Sequence, residues 1–299
     1  MQLLDGAAVA AHIKEQIRLE TVQLKKETGK TPQLAAVLVG NDPASEVYVS
    51  SKVKTCEALG FKSVLVRLDA NTSEQELLST VQQLNDNPEI NGILVQLPLP
   101  KHISSEAIIN AIHPDKDVDG FHPISQGRMV LGQQTFLPAT PYGILLMLAH
   151  YKIDTTGMHC VVIGRSNIVG TPMSILLSRN TNPGNATVTL THSKTKNLPE
   201  LCRSADLIVA AIGIPKFVTA DMVKDGAIIV DVGINRMADA TRASGSRLVG
   251  DVDFDAVAGK CSYITPVPKG VGPMTICGLM KNTLEAFKQQ HKVAVAAHS

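Results

Sequence analysis

The sequence contains no tryptophan, and aromatic residues make up only 3% of it. Surfaces that stack bases need aromatic faces, so binding of single-stranded nucleic acid is disfavoured. Charge of one sign is missing too. The 28 Lys and Arg against 27 Asp and Glu leave a net charge of +1, whereas nucleic-acid binders carry a clear basic surplus. Cysteine is sparse: Cys56, Cys160, Cys202, Cys261 and Cys277 are odd in number, far apart and without a Cys-x-x-Cys. That usage fits reduced thiols in a reducing compartment. The nine histidines show no His-x-x-x-His spacing, so no zinc site is expected. No apolar run approaches the ~18 residues of a membrane span. The start, Met1-Gln2-Leu3-Leu4-Asp5, lacks the basic and then apolar pattern of a secretion signal. The expectation is a soluble cytoplasmic protein with no metal, no nucleic-acid partner and no membrane partner.

One segment imitates a metal loop. Asp115-Lys116-Asp117-Val118-Asp119-Gly120 matches the first half of an EF-hand, D-x-D-x-D-G. The eighth loop position is His122, the ninth is Pro123, and the twelfth is Gln126 instead of a bidentate Glu. Calcium binding is therefore not expected, and a solvated Asp-Gly turn is the plainer reading.

What the chain does have is apolar content of 44% over 299 residues, enough for about two domains of roughly 150 residues each. Short β-branched runs at 35–39, 63–68, 92–97, 160–164, 187–191, 207–211, 227–232 and 248–249 alternate with helical stretches. Continuous apolar runs such as Ala227-Ile228-Ile229-Val230 fit strands buried on both faces of a parallel sheet. Val9, Ile13 and Ile17 mark a first helix; Val47, Val53 and Leu59 mark a second over 45–59. Leu77, Leu78, Val81 and Leu84 mark a third, capped by Thr72 or Ser73 with Glu76 in its first turn. The fold class is α/β with a mostly parallel sheet.

Two proline-rich segments, 136–141 and 264–273, read as extended crossings between domains. A last helix over 274–290, with Met280, Leu284 and Phe287 on one face, then returns to the first domain. The expected division is 1–140 with 274–299, and 141–273. The tail from His291 to Ser299 should fray.

In the second domain, the strand ending at Gly164 runs through Arg165-Ser166-Asn167-Ile168-Val169-Gly170 into a helix. Such a junction puts backbone N–H groups where phosphate binds. The Gly-x5-Gly spacing meets the dinucleotide fingerprint only in part. At the next strand end stand His192-Ser193-Lys194-Thr195, with no acid to hold a ribose 2′-hydroxyl. A hydroxyl, a lysine and the nearby Arg165 favour a 2′-phosphate, hence NADP over NAD. Gly213 and Gly233, followed by Ile234, lie at further strand ends of the kind that face a ligand crevice.

In the first domain, Tyr48 and Lys52 stand at i and i+4 on one helix face. From spacing alone an exposed cation–π pair is the plainer reading. Gln96 near the end of a buried strand needs a partner for its amide, which makes it a site candidate.

Taken together, these segments resemble the bifunctional methylenetetrahydrofolate dehydrogenase/methenyltetrahydrofolate cyclohydrolase family over essentially the whole chain. The resemblance rests on Tyr48-Val49-Ser50-Ser51-Lys52, Val95-Gln96-Leu97-Pro98-Leu99-Pro100 and Lys116-Asp117-Val118-Asp119-Gly120-Phe121. It also rests on Gly164 to Gly170, His192-Ser193-Lys194-Thr195 and Gly270-Val271-Gly272-Pro273-Met274-Thr275. It implies a homodimer that uses NADP, with a tetrahydrofolate substrate held between a catalytic domain and a Rossmann-like domain. Lys52 would be the catalytic lysine, with Gln96 beside it. Tyr48 would stack along the folate and Asp119 would hydrogen-bond the pterin. Ser45, Leu97, Pro98, Gly272 and Pro273 would complete the folate site. Arg165 and Ser193 would hold the 2′-phosphate, and Gly164, Ser166, Ile168, Val169, Gly170, His192, Gly213, Gly233 and Ile234 would complete the cofactor site.

Two features depart from the family pattern. Lys269 stands where a glycine is usual, which would strain the chain if φ is positive there. Its charge could instead meet the glutamate tail of the substrate. Residues 180–186 also make a longer link than usual, either at the cofactor rim or as a surface loop. The implied reactions are oxidation of 5,10-methylenetetrahydrofolate and hydrolysis of the methenyl product to 10-formyltetrahydrofolate. Alternatives are a dehydrogenase alone, a non-catalytic NADP- or folate-binding regulator, and an unrelated α/β dehydrogenase.

Overall fold

The structure is a computed structural model that describes residues 1–239, 241 and 245–293. In chain order the elements are β1 (Gln2–Leu3), α1 (Gly6–Thr28), β2 (Gln33–Val39), α2 (Pro43–Leu59), β3 (Lys62–Leu68), α3 (Glu74–Asp86) and β4 (Gly92–Val95). Then come α4 (Ser105–Ala111), α5 (Pro123–Val130), α6 (Ala139–His150), β5 (His159–Ile163), α7 (Gly170–Ser178), β6 (Thr187–Thr191) and α8 (Leu198–Ser204). The last are β7 (Leu207–Ala210), β8 (Ile228–Asp231), β9 (Asn235–Ala238), β10 (Ser246–Val249), α9 (Phe254–Val257), β11 (Tyr263–Ile264) and α10 (Val271–Gln290). Among the described residues no helix is long and apolar enough to cross a membrane.

The chain divides into two compact units. One holds Met1–Ala11 and Thr140–Thr275; the other holds His12–Ala139 and the described residues from Ile276 on. The expected division put Met1–Ala11 with the rest of the N-terminal part. In the structure β1 pairs in parallel with β11, at Gln2 with Tyr263 and Leu3 with Ile264, so the first residues belong to the other sheet. Neither two-residue strand is long enough to show a period.

The smaller sheet is parallel, in the order β3-β2-β4. Ala35, Val37, Ile93 and Val95 pack on Leu77, Val81 and Leu84 of α3. Ser73 caps α3 through the N–H of Glu76, as its sequence predicts. Helix α2 begins earlier than expected. The Asp42 carboxylate accepts from the N–H of Ser45, and Pro43 takes the first helical position, where no N–H is needed.

The larger sheet runs β1-β11-β8-β7-β5-β6, with every pairing parallel. Strands β7 and β8 are buried at all four positions, as continuous apolar runs imply. The run at 248–249 does not join this sheet. It lies in β10, which forms a separate antiparallel pair with β9.

Both proline-rich segments contain helix starts instead of staying extended. α6 begins at Ala139 and α10 at Val271. Pro141 and Pro273 fall in the first turn, where amides have no partner inside the helix, so proline costs no hydrogen bond there. The last helix ends at Gln290; the part of the expected frayed tail at 294–299 lies outside the described residues.

Candidate active site

In the smaller sheet the chain leaves β2 towards β3 on one side and later returns as β4 on the other. The carboxyl ends of β2 and β4 therefore flank a topological switch point, where ligands of open α/β sheets bind. Gln96 stands one residue past β4, and its N–H still extends the ladder to the Val37 carbonyl at 2.9 Å. Its side-chain amide donates to the Leu97 carbonyl at 2.6 Å, which turns Oε1 towards Lys52. The Lys52 ammonium donates to that oxygen at 3.1 Å.

Lys52 is 8% exposed, so it is not half of an exposed cation–π pair. It lies on the face of α2 that buries Ser45, Val49, Lys52, Thr55, Cys56 and Leu59, while Val47, an expected marker of the apolar face, is 68% exposed. Burial pulls the Lys52 amine below the usual lysine range; the charge of Asp119 opposes that shift. Asp119 is pushed up by its own desolvation, with Lys52 opposing. The lysine is thus held by a neutral amide, with a carboxylate within electrostatic reach. Tyr48, one turn before Lys52, stays partly exposed. Ser45 is buried, Leu97 is half-buried and Pro98 is exposed.

The loop carrying Asp119 is held from three sides. Asp117 is 1% exposed and accepts from the N–H of Phe121 at 3.2 Å and of His122 at 2.9 Å. Asn282 of α10 donates to the carbonyls of Val118 and Leu137, both at 2.8 Å. Gly120 has φ 71°, and a Cβ there would come within 2.6 Å of the Leu137–Pro138 backbone. This is not a solvated turn. Burial raises the Asp117 carboxyl to about 7 against the pull of its amide donors. Its oxygens serve the backbone, as an acid buried in a loop requires.

In the larger unit the switch point lies between β5 and β7, because the chain goes first to β6 and then crosses to β7. Gly164, with φ 109°, follows β5 there. A Cβ at Gly164 would lie 2.3 Å from the Ala211 carbonyl, and one at Gly170 would lie 1.9 Å from the Gly164 carbonyl. Only glycines let the strand, the loop and the start of α7 approach so closely. Ser166 Oγ accepts from the N–H of Val169 at 3.2 Å and of Gly170 at 3.4 Å. Arg165, Ser166, Ile168 and Ser193 are exposed, whereas Val169 and His192 are half-buried. The His192 ring accepts from the N–H of Lys194 at 3.1 Å, which folds the turn after β6. Gly213, with φ 69°, is exposed after β7, and Ile234 is 44% exposed after β8. A Cβ at Gly272 would lie 3.5 Å from Ile234 Cδ1, so this unit brings Gly272 and Pro273 beside the exposed Ile234.

Residues 180–186 precede β6 and lie at its amino end. Thr155 Oγ1 donates to the Gly184 carbonyl and accepts from the Gly184 N–H, each at 2.7 Å. The longer link is therefore not a cofactor rim, which belongs to the carboxyl ends.

Sequence reasoning missed two buried carboxylates. Asp251 is fully buried and Asp231 is 3% exposed. Asp251 accepts from the N–H of Ile212 at 2.7 Å and of Gly213 at 2.9 Å, and from the Asn235 amide at 2.9 Å. Asp231 accepts from the N–H of Gly233, Asp251 and Val252. The available signal was an acid close to a glycine at or just past the end of a strand, in Asp231-Val232-Gly233 and Gly250-Asp251.

A dinucleotide-type parallel sheet in one unit, and a buried lysine–amide pair at the switch point of the other, define a nucleotide-dependent two-domain enzyme. Comparison with known proteins narrows the class. Residues 4–119 match the catalytic domain of tetrahydrofolate dehydrogenase/cyclohydrolase, and residues 138–291 match the NAD(P)-binding domain of the same enzymes. The chain is 60% identical over 286 residues to the bifunctional protein FolD of Cytophaga hutchinsonii, covering 96% of this chain and 99% of that one. The crystal structure of the FolD methylenetetrahydrofolate dehydrogenase/cyclohydrolase of Campylobacter jejuni matches with a TM-score of 0.91 and 49% identity, over 97% of this chain and 99% of that chain. A Trypanosoma brucei methylenetetrahydrofolate dehydrogenase-cyclohydrolase, complexed with NADP and an inhibitor, matches with a TM-score of 0.91 and 37% identity, over 97% of this chain and 98% of that chain. The chain belongs to the tetrahydrofolate dehydrogenase/cyclohydrolase family and carries both of its enzymatic domains.

Proposed function

We propose that this protein oxidises 5,10-methylenetetrahydrofolate with NADP and hydrolyses the methenyl product to 10-formyltetrahydrofolate, with Lys52 handling protons in the second step. The observation that carries this is the buried Lys52 amine, held at 3.1 Å by the neutral Gln96 amide and lowered towards the range where an amine can act as a base.

The cofactor is NADP, and the glycine-lined crevice after β5 and β7 suits it: Gly164 and Gly170 allow close backbone approach, and Gly213 has nothing within 4 Å of an added Cβ. Arg165 and Ser193 would hold its 2′-phosphate. Ser166, Ile168, Val169, Gly170 and His192 would shape the turns around it, with Gly213, Gly233 and Ile234 at the neighbouring strand ends. When bound, NADP supplies the hydride acceptor. Oxidation of the N–CH2–N bridge releases no proton, so this chain contributes alignment to that step more than acid or base.

Hydrolysis makes a different demand. Water adds to the methenyl carbon, the Lys52 amine takes one proton from it, and that proton passes to the ring nitrogen as its C–N bond breaks. The remaining hydroxyl proton leaves to solvent as the formyl C=O forms. Gln96 cannot titrate, so its part is to aim the amine. Tyr48 stacks along the folate, Asp119 hydrogen-bonds the pterin, and Ser45, Leu97, Pro98, Gly272 and Pro273 line the substrate. The unit holding Lys52 is catalytic and the unit holding Gly164 binds the cofactor. The chain works in the cytoplasm as a homodimer.

The test is Lys52→Met, assayed separately for reduced nicotinamide and for loss of methenyltetrahydrofolate, with NADP and NAD in parallel. Cyclohydrolase activity is expected to fall about 10²- to 10⁴-fold, the usual worth of a positioned acid–base group, while dehydrogenase activity falls far less. An equal loss of both would overturn the division of labour.

A further inference from the structure

The connections that follow β7 and β8 in the larger sheet end on the same buried carboxylate pair. The loop after β7 gives the N–H groups of Ile212 and Gly213 to one oxygen of Asp251, at 2.7 and 2.9 Å. The loop after β8 gives the Asn235 amide to the other oxygen, at 2.9 Å. Asp231, the last residue of β8, accepts from the N–H of Gly233 at 3.0 Å, of Asp251 at 2.8 Å and of Val252 at 3.0 Å. Six N–H groups thus converge on two carboxylates with almost no access to water. Charge-assisted bonds of this kind are the strong ones, and a buried network with every member satisfied is rigid.

The backbone is shaped around the pair. A Cβ at Gly233 would lie 2.2 Å from Asp251 Oδ1, and one at Gly250 would lie 1.7 Å from Asp231 Oδ2. Each of the four carboxylate oxygens accepts at least one of these N–H groups. What the pair controls is where Gly213, Gly233 and Ile234 stand.

We propose that Asp251, through its bonds to Ile212, Gly213 and Asn235, is a positioning residue that sets the β7 and β8 loops in register for NADP. This rests on those loops holding the cofactor, as proposed above. The Asp251 side chain bonds to Ile212, Gly213 and Asn235, all in its own unit. Its loss should weaken cofactor binding and spare the cyclohydrolase reaction, which needs no nicotinamide.

The decisive feature is that the pair can be exchanged. In Asn235→Asp two carboxylate oxygens meet where the Asn235 amide now donates, so that tie is lost and like charges face each other. Adding Asp251→Asn restores the pattern with donor and acceptor reversed: Asn at 251 keeps its oxygen for Ile212 and Gly213 and donates to Asp at 235. Asn235→Asp is expected to raise KM for NADP about tenfold or more, as loss of a charged hydrogen bond implies. Dehydrogenase kcat at saturating NADP and cyclohydrolase activity without NADP should stay within about threefold, and the double variant should recover most of the KM. Should Asn235→Asp not fold, Asn235→Ala severs the tie without adding a charge and should raise KM for NADP by about threefold.

A parallel fall of both activities and of Tm, unrelieved in the double variant, would reduce Asp251 to a general structural role and overturn the proposal. Ile234→Ala separates the two layers of the reasoning. If it raises KM for NADP and the two single Asn235 variants do not, the loops bind cofactor but Asp251 does not set them. If none of the three moves KM for NADP, the assignment of the loops to the cofactor fails, and the proposal with it.

Discussion

Replacing Gln96 with Glu puts a carboxylate where a neutral amide now faces the Lys52 ammonium at 3.1 Å. At that distance a unit charge pair is worth about 5 kcal/mol with an effective dielectric of about 20. Gln96 is half-buried, and solvent screening on its open side takes off roughly half. The remaining 2–3 kcal/mol or so favours the protonated amine about 100-fold. The neutral amine is the form that can accept a proton from water. Cyclohydrolase activity near neutral pH should therefore fall about 100-fold, and the pH–rate profile should move to the alkaline side. The dehydrogenase step asks no proton of Lys52 and should lose less than about fivefold. Initial rates of methenyltetrahydrofolate loss across a pH series, beside nicotinamide reduction in the same buffers, read both numbers. An unshifted profile, an acid shift, or a matching loss of dehydrogenase activity would refute the assignment of Lys52 as the proton carrier.

Two further outcomes concern stability. Lys269 has φ 83°, a left-handed conformation that costs an L-residue about 1–2 kcal/mol. Lys269→Gly removes that cost, less about 0.4–1 kcal/mol for the freer unfolded chain. A gain of about 0.5–1 kcal/mol in urea unfolding is expected; a loss of that size would mean the side chain itself stabilises the turn. Unchanged KM for the folate in the same variant would exclude a contact between the Lys269 charge and the glutamate tail. Asp117 holds its proton up to about 7 when folded, against 3.8 for the ordinary carboxyl. The folded state then binds more protons than the unfolded one between those values, so this group's contribution to stability is complete below about 3.8 and is lost as pH rises through about 7. The deficit of Asp117→Asn relative to the parent should therefore be larger near about pH 5 than near about pH 8, and a deficit independent of pH would sink the reasoning.

Much of the architecture was legible because parallel strands buried on both faces announce themselves as unbroken apolar runs. Helices α3 and α10 were equally readable, since Leu77, Val81 and Leu84, and Met280, Leu284 and Phe287, are all buried. The misleading element was α2. Its buried face carries the polar Ser45, Lys52 and Thr55, so hydropathy pointed to exposed Val47 instead. Spacing named Lys52 and Gln96 only as separate candidates, because their 3.1 Å contact spans 44 residues; it was the family resemblance that put Gln96 beside Lys52. Asp231 and Asp251 escaped notice for a similar reason. An acid after a strand looks like a solvated turn until the N–H groups that close on it are seen.

The pairing of β1 with β11 also bears on how the molecule is made. The sheet β3-β2-β4 uses residues 33–95 and can close as soon as that stretch is synthesised. The larger sheet cannot close in that way. Its edge strand emerges about 260 residues ahead of its partner and must wait, unpaired, for the whole nucleotide-binding segment to appear. A contact so distant in sequence forms late. Truncation just before Tyr263 should therefore release the N-terminal strand from the sheet while leaving the β3-β2-β4 pairing in place, and protease cleavage near Leu3 would report when assembly is complete.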